Sequence, residues 1–326
     1  MEMTTSPKTP YVSIIIPAFN EEGNIEELCR QFEQMGREAR FSFEVIIIDD
    51  GSTDTTPQIL GQMSKTHSFL RTASHGNNRG LTQALQTGFS MARGDIFVFY
   101  PADLQYKPEN IPAMIEKINE GNDLVTGWKQ GKYSKRLVSR VYNGLSRKLF
   151  GLKVHDLNSV KAFRRNIVED IFLRKDWHRY LVALAVERGY RVDEVKIPLY
   201  DRYSGSSKFS GLGRIPIGIL DMLAVKSQLT LLRKPLLFFG IIGGLLIGLG
   251  LFAGLSAIYL RFFHDIGFRP LLYLVILLMV LGALSFILGF LAEGLTAIKE
   301  ELSGVRQSVR RLENQFKNNN KDNNGH

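Results

Sequence analysis

Acidic residues in this chain recur directly after short apolar runs. The segments are 17–22 (PAFNEE), 48–54 (IDDGSTD) and 101–105 (PADLQ). Carboxylate oxygens beside phosphate oxygens are the ligand set that Mg²⁺ or Mn²⁺ prefers. No G-x-G-x-x-G follows the first run, and no G-x-x-x-x-G-K-[ST] occurs. Acidic ends without a glycine cradle point to a nucleotide held by its base and ribose, with its diphosphate on a divalent cation. Lys129, Arg136, Arg202 and Lys208 are the candidates for phosphate contacts, since arginine offers a planar fork and lysine a point charge.

Such loops need a scaffold whose strand ends converge. YVSIIIP is a β-branched run closed by proline. FEVIIIDDGS opens with the continuous apolar stretch of a strand buried on both faces, and GDIFVFYPAD repeats the theme. Between them, Ile25, Leu28 and Phe32 have helical spacing behind acidic first-turn residues. Further helices are predicted over 53–63 and 79–92. The alternation implies an α/β fold with a mostly parallel sheet, right-handed crossovers and ligands at the carboxyl ends of the strands. PAFNEE, IDDGSTD and PADLQ are those ends.

The chain has 326 residues, 44% hydrophobic and 22% charged, a folded composition sized for about two structural units. Cys29 is the sole cysteine, which excludes an internal disulfide or a cysteine zinc cluster and suits a reducing compartment. Net charge is +9, from 41 basic and 32 acidic residues. The basic residues form no tract and no nucleic-acid motif appears, so anionic lipid heads and phosphorylated ligands account for the excess better than nucleic acid does. A mean hydropathy of −0.04 conceals an asymmetry. Segments 235–260 and 270–292 carry no charge, and each exceeds the roughly 20 residues that cross a bilayer core. Lys226, Arg233 and Lys234 precede the first span; Arg306, Arg310 and Arg311 follow the second. With nothing like a signal peptide at the N-terminus, both ends are expected in the cytosol.

Ahead of the spans, IPIGILDMLAVKSQLTLL mixes large apolar residues with Asp221, Lys226 and Gln228, as helices lying in the bilayer interface do. Gly240, Gly244 and Gly248 form a small-residue ridge for a neighbouring helix. Beyond the second span, Leu295, Ile298, Leu302, Val305, Val309, Leu312 and Phe316 alternate steps of three and four. That seam of a short coiled coil predicts a homo-oligomer. Segment 314–326 reads as a disordered polar tail.

PAFNEEGNI, IIIDDGSTDTT, NNRGLTQALQTG and PADLQYKPE resemble, in order, the motifs of glycosyltransferase family 2. HDLNSVKAF and RYSGSSKFSGLGR, followed by paired spans, are similar to the polyprenyl-phosphate branch of that family. The resemblance covers residues 12–292. It implies a GT-A-like, Rossmann-related sheet with helices on both faces, then interfacial helices and a two-helix transmembrane hairpin. Pro17, Asn20, Glu21, Asp49 and Asp50 would surround the nucleoside, and Asp103 and Gln105 would approach the metal and diphosphate. The family pattern D-A-D-L-Q has Pro101 in place of its first aspartate here. Either Asp103, Gln105, the diphosphate and water complete the shell, or the metal binds more weakly. Asp156 is the implied carboxylate near the reacting centre. Because a phosphate monoester has its second pKa at about 6, such an acceptor needs no strong base. RYSGSSKF, with Arg202 and Lys208, is the implied loop over the diphosphate and the acceptor phosphate. Trp177 and His178 read as core packing on a helix after LRKD.

The organisation expected is a cytosolic GT-A catalytic domain at 1–209, interfacial helices at 210–234, two transmembrane helices within 235–292, and a coiled-coil helix with its tail at 293–326. The activity expected is inverting transfer of a hexose from a nucleotide sugar, UDP-glucose or similar, to polyprenyl (undecaprenyl) phosphate at the inner (plasma) membrane. A processive polysaccharide synthase competes, although two spans are few for an export channel and no Q-x-x-R-W occurs. A catalytically weak nucleotide-sugar-binding scaffold has only Pro101 in its favour.

Overall fold

The computed structural model describes residues 10–131, 136–171, 173–174, 176–204, 220–227, 234–264, 267 and 269–323; the side chains of 136–141, 299–300, 303–304 and 306–323 lie outside that description. The chain divides into two compact units, 1–216 and 217–326.

In the first unit, β1 (Val12–Ala18), β2 (Phe43–Asp49), β3 (Leu70–Ser74), β4 (Ile96–Phe99), β5 (Leu124–Gln130), β6 (Lys161–Arg164) and β7 (Val192–Pro198) form one sheet. Its order is β3-β2-β1-β4-β6-β5-β7. β1 pairs parallel with β2 and β4, β2 with β3, and β5 with β7; β6 alone runs against its neighbours. The mostly parallel sheet is thus as expected, with one reversal. That reversal brings the start of β6, Lys161, and the segment before it to the edge where every other strand ends.

The helices are α1 (Ile25–Glu38), α2 (Thr56–Thr66), α3 (Leu81–Met91), α4 (Ile111–Asn119), α5 (Arg136–Phe150), α6 (Arg165–Asp170) and α7 (Leu181–Glu187). Ile25, Leu28, Phe32 and Met35 of α1 are buried, each contributing about 1.5–3 kcal/mol by the usual area arithmetic. They join Ile14, Ile16, Val45 and Ile47 of the sheet and Ile115 of α4 in one core. On the opposite face Phe89 of α3 stacks on Phe97 of β4, with ring centroids 5.7 Å apart. Helices therefore cover both faces.

α2 begins at Thr56 rather than at the predicted residue 53. The amides of its expected first turn are committed elsewhere. Thr53 N donates to Asn20 Oδ1 at 2.8 Å, Thr55 N to Glu22 Oε2 at 3.0 Å and Thr56 N to Asp54 Oδ1 at 3.0 Å. Trp177 and His178 lie on a 3₁₀ turn, Trp177–Tyr180, rather than in an α-helix.

In the second unit, residues 220–227 are helical, with Met222 and Val225 buried and Leu220 and Leu223 exposed. Two long helices follow, Pro235–His264 and Arg269–Asn323. Over Pro235–His264 and Arg269–Ile298 they are long and apolar enough to cross a membrane, with mean hydropathies of 2.5 and 2.9. Of the ridge expected at Gly240, Gly244 and Gly248, only Gly240 faces the second helix, where a Cβ would lie 3.6 Å from Phe286 Cε1. A Cβ on Gly243 would lie 2.8 Å from the Gly282 carbonyl oxygen, whereas Gly244 and Gly248 have nothing within 4 Å. At 3.6 residues per turn a stripe of spacing four drifts around the helix, and the seven-residue step from Gly243 to Gly250 stays on one face. Glu293 Oε2 accepts Leu236 N at 3.2 Å and caps the first of these helices. The second continues to Asn323, so residues 314–323 of the expected disordered tail are helical. Extending an existing helix avoids the nucleation cost that an isolated polar segment would face.

Candidate active site

The carboxyl edge of the sheet is built by loops that lock onto one another. After β1 the chain turns through Asn20, whose φ of 53° is left-handed, a conformation asparagine tolerates better than most residues. Asn20 N donates to Ser52 Oγ at 2.9 Å, and Glu21 N donates to Thr56 Oγ1 at 2.9 Å. Glu21 Oε2 in turn accepts Asn24 Nδ2 at 2.5 Å. The loop after β1 is thereby stitched to the loop after β2. Pro17 stays within β1, opposite Ile48 of β2.

Asp49 and Asp50 are both buried and both engaged. Asp49 accepts Ser52 N at 3.0 Å and Ser74 Oγ at 2.7 Å. Asp50 Oδ1 accepts from His75 Nδ1 at 2.7 Å and Arg79 N at 3.0 Å, and its Oδ2 accepts Gly80 N at 2.8 Å. The second carboxylate is thus the clamp of the loop between β3 and α3. Gly51, at φ 73°, admits that loop: a Cβ there would meet the Asn77 carbonyl carbon at 2.4 Å. His75 closes the arrangement through Nε2 to Thr87 Oγ1 at 3.0 Å. No spacing singles out His75 in the sequence, since it follows a short strand, Leu70–Ser74, and precedes the NNRGLTQALQTG motif.

The loop after β4 holds Asp103 and Gln105 on either side of Leu104, a buried residue with φ 57°. Such strained non-glycine backbone costs about 1–3 kcal/mol and persists where surroundings enforce it. Here it turns Asp103 Oδ1 back to accept Gln105 N at 3.2 Å. Asp103 Oδ2 meets Arg202 Nη2 at 2.9 Å. Burial raises the Asp103 pKa and the nearby Glu21 charge adds to the rise, while Arg202 opposes it. The arginine thus offsets part of the cost of burying the carboxylate. Gln105 Nε2 reaches Tyr200 O at 3.5 Å, and Tyr200 N donates to Gln105 O at 3.0 Å, so the segment that follows β7 and carries Arg202 is tied across this loop.

Among the described residues no three Asp, Glu, His or Cys side chains cluster as a metal site. The donors that are present nevertheless suit a hard cation. Asp103 and the Gln105 side-chain carbonyl offer oxygen, the donor such an ion prefers. A ligand's phosphate oxygens would supply the remaining positions.

Asp156 lies in the segment preceding β6 and is buried. Its Oδ1 accepts Asn158 N at 3.0 Å, its backbone carbonyl accepts Thr126 Oγ1 at 3.0 Å, and Lys129 Nζ is 3.4 Å from Oδ2. Two of the basic residues singled out for phosphates, Lys129 and Arg202, thus pair with the two singled-out carboxylates Asp156 and Asp103. Tyr106 sits among them, its phenol pushed up to about 12 by burial, with Lys129 opposing. Arg136 opens α5 but its side chain lies outside the described residues, as does all of Lys208. His178 Nδ1 bonds Thr82 Oγ1 at 2.9 Å, and burial pushes its pKa down to about 3. Next to Asp156, His155 stacks on Trp128 with ring centroids 4.0 Å apart, and its Nδ1 meets Glu194 Oε1 at 2.5 Å.

The family model of glycosyl transferase family 2 matches residues 13–172. The dodecaprenyl-phosphate galacturonate synthase of Rhizobium johnstonii is 31% identical over 296 residues, 86% of each chain. An undecaprenyl-phosphate 4-deoxy-4-formamido-L-arabinose transferase of Klebsiella pneumoniae is 28% identical over 89% of this chain and 90% of its own. Among solved structures, glucosyl-3-phosphoglycerate synthase from Mycobacterium tuberculosis, in complex with Mn²⁺, UDP and glucosyl-3-phosphoglycerate, superposes with a TM-score of 0.54. It is 21% identical and covers 67% of this chain and 80% of that one. That likeness establishes the GT-A-like fold.

Proposed function

Because this chain belongs to glycosyl transferase family 2, in its polyprenyl-phosphate branch, we propose that it moves a glycosyl unit from a nucleotide sugar to polyprenyl phosphate. The observation that carries this reading is the extent of the likeness to the galacturonate synthase. At 86% of the chain it is too long to end before the apolar helices, so catalytic unit and helices match together. An acceptor with a long hydrocarbon tail lies in a bilayer, and helices of this kind would hold the catalytic unit beside it.

In this mechanism an oxygen of the acceptor phosphate forms the new bond to the anomeric carbon from the face opposite the leaving group. The carbon–oxygen bond to the diphosphate breaks, its electrons leave with the nucleoside diphosphate, and the anomeric centre inverts. The acceptor is already a dianion near neutral pH, so Asp156 has only to orient it and take any residual proton. Asp103 and Gln105 would hold Mg²⁺ or Mn²⁺, which supplies positive charge to the departing diphosphate. Arg202 brings a guanidinium to the same loop, and charge stabilisation of a leaving group is usually the largest catalytic contribution. Asp50 acts on the nucleoside pocket by holding the loop between β3 and α3, with Asn20, Glu21 and Asp49 setting the loops around it.

The finer reading is a hexose carried on UDP, with the catalytic unit on the cytoplasmic side of a plasma-membrane hairpin and the exposed C-terminal seam joining protomers. The test is transfer by the purified full-length protein from a panel of radiolabelled UDP- and GDP-sugars to undecaprenyl phosphate, followed by organic extraction. Label in the lipid phase with one donor is the expected result, and its sugar identifies the substrate. No lipid-linked label with any donor would refute the proposed activity.

A further inference from the structure

The segment that carries Asp156 lies past the end of a β-ladder. β5 and β6 pair from Leu124 with Phe163 to Thr126 with Lys161, and Gly127 N adds one bond to Val160 O at 2.9 Å. Among the described residues no backbone–backbone hydrogen bond holds residues 155–158. A reacting group on such a segment is less well fixed than one on a strand, unless neighbouring side chains hold it.

Here they do. Glu194 Oε2 accepts His155 N at 2.6 Å, and its Oε1 accepts His155 Nδ1 at 2.5 Å. One carboxylate thus holds both the amide and the ring of the residue before Asp156. Thr126 Oγ1 donates to the Asp156 carbonyl oxygen at 3.0 Å. Thr126 and Glu194 are register partners of β5 and β7, so both restraints come from one rung of the sheet. Two positions on, Trp128 and Lys196 form the next rung of the same face. The Trp128 indole lies against the imidazole, 4.0 Å away with 10° between the planes, and Lys196 Nζ stands 5.3 Å from the indole centre. The His155 ring cannot turn away from Glu194 without leaving the indole.

With its imidazole 40% exposed, the His155–Glu194 pair contributes little to stability, so its two-point hold invites a functional account. We propose that Glu194 and Thr126 are positioning residues for Asp156: they fix the His155 amide and the Asp156 carbonyl on the sheet and so aim the carboxylate at the acceptor phosphate. This rests on the reading that Asp156 meets the acceptor. A shift of about 1 Å at a reacting group can cost about a hundredfold in rate, so losing one of two restraints is expected to cost about tenfold.

The test is steady-state transfer by full-length protein in detergent, with undecaprenyl phosphate and the donor that the panel identifies, each varied in turn. Glu194→Ala and Thr126→Val should each lower kcat/KM for the acceptor about tenfold and leave the donor KM as in wild type. Glu194→Gln keeps an acceptor for His155 N and offers an NH₂ to an unprotonated Nδ1, so it should recover most of the loss. In an Asp156→Asn background neither substitution should cost more than about twofold further, because a residue that acts through Asp156 has nothing left to aim. A merely structural role would cost the same in both backgrounds. Wild-type acceptor kinetics in Glu194→Ala, additive losses in the Asp156→Asn background, or Glu194→Gln as poor as Glu194→Ala would each overturn the proposal. If Glu194→Ala does not fold, Thr126→Val, which keeps the side chain's size, decides by the same measurements. If Asp156→Asn is inactive, the split between acceptor and donor and the glutamine variant decide. Asp156→Asn with wild-type kinetics would refute the role of Asp156 itself, and this inference would fall with it.

Discussion

Replacing Asp50 by Asn tests whether this residue is a loop clamp or only a nucleoside contact. The carboxylate accepts three hydrogen bonds, from His75 Nδ1, Arg79 N and Gly80 N, at 4% exposure. The better amide orientation keeps the oxygen towards His75 and Arg79 and turns an NH₂ against the Gly80 amide. One bond to a charged acceptor is then lost and two become neutral. With charged hydrogen bonds at about 1.5–3 kcal/mol and neutral ones at about 0.5–1.5, the sum is about 3.5–6 kcal/mol. For a unit of this size each kcal/mol moves the midpoint by roughly 2–4 °C, so Asp50→Asn should melt about 15 °C below wild type. Both tryptophans, Trp128 and Trp177, lie in the first unit, so tryptophan fluorescence in detergent reports this transition and not that of the apolar helices. The donor KM should rise as well, because the loop the aspartate holds flanks the proposed nucleoside site. Paired with His75→Ala in a double-mutant cycle, Asp50→Asn should show a coupling of about 1 kcal/mol or more. A midpoint within about 2 °C of wild type, with only the donor KM changed, would refute the clamp.

EDTA should abolish transfer and Mg²⁺ or Mn²⁺ restore it, while Asp103→Ala lowers kcat more than tenfold, a loss of about 1.4 kcal/mol or more of transition-state stabilisation; full turnover in EDTA would remove the ion from the mechanism. Arg202→Gln has a pH signature. Asp103 is raised by burial and Arg202 opposes that rise, so the variant's carboxyl is raised further. A carboxyl raised in the folded state favours folding below its unfolded pKa, and that advantage is lost as pH rises through the folded value. The melting deficit of Arg202→Gln should therefore be largest near pH 7 and close as pH falls towards about 4, and a deficit that ignores pH contradicts this account. Finally, Leu295, Ile298, Leu302 and Val305 are each more than half exposed in one chain, as an unpartnered seam is. Truncation after Ala292 should reduce the mass measured by light scattering in detergent to that of a monomer, and a monomeric full-length protein would dispose of the oligomer.

Local pattern was enough for the strands ending in PAFNEE, IDDGSTD and PADLQ, for α1, and for the two apolar helices. Each rests on residue spacing within one element or on the length of a charge-free run, and both are read directly along the chain. The helix starts were less legible. Where α2 begins depends on Asn20 and Glu22, from another loop, taking the amides of Thr53 and Thr55. The site divides in the same way. Its residue types and most of its positions follow from chain order, because a parallel sheet gathers its carboxyl ends. Who pairs with whom does not. His75 and Asp50 meet across 25 positions of sequence, and Arg202 reaches Asp103 from the segment that follows the sheet's last strand. Lys161 looks in sequence like a lysine interrupting an apolar strand. Only the reversed direction of β6 carries it to the edge where Asp156 and Lys129 lie. A hydrogen bond or an ion pair depends on the separation of atoms in space, and periodicity along a chain reports only which face of its own element a side chain takes.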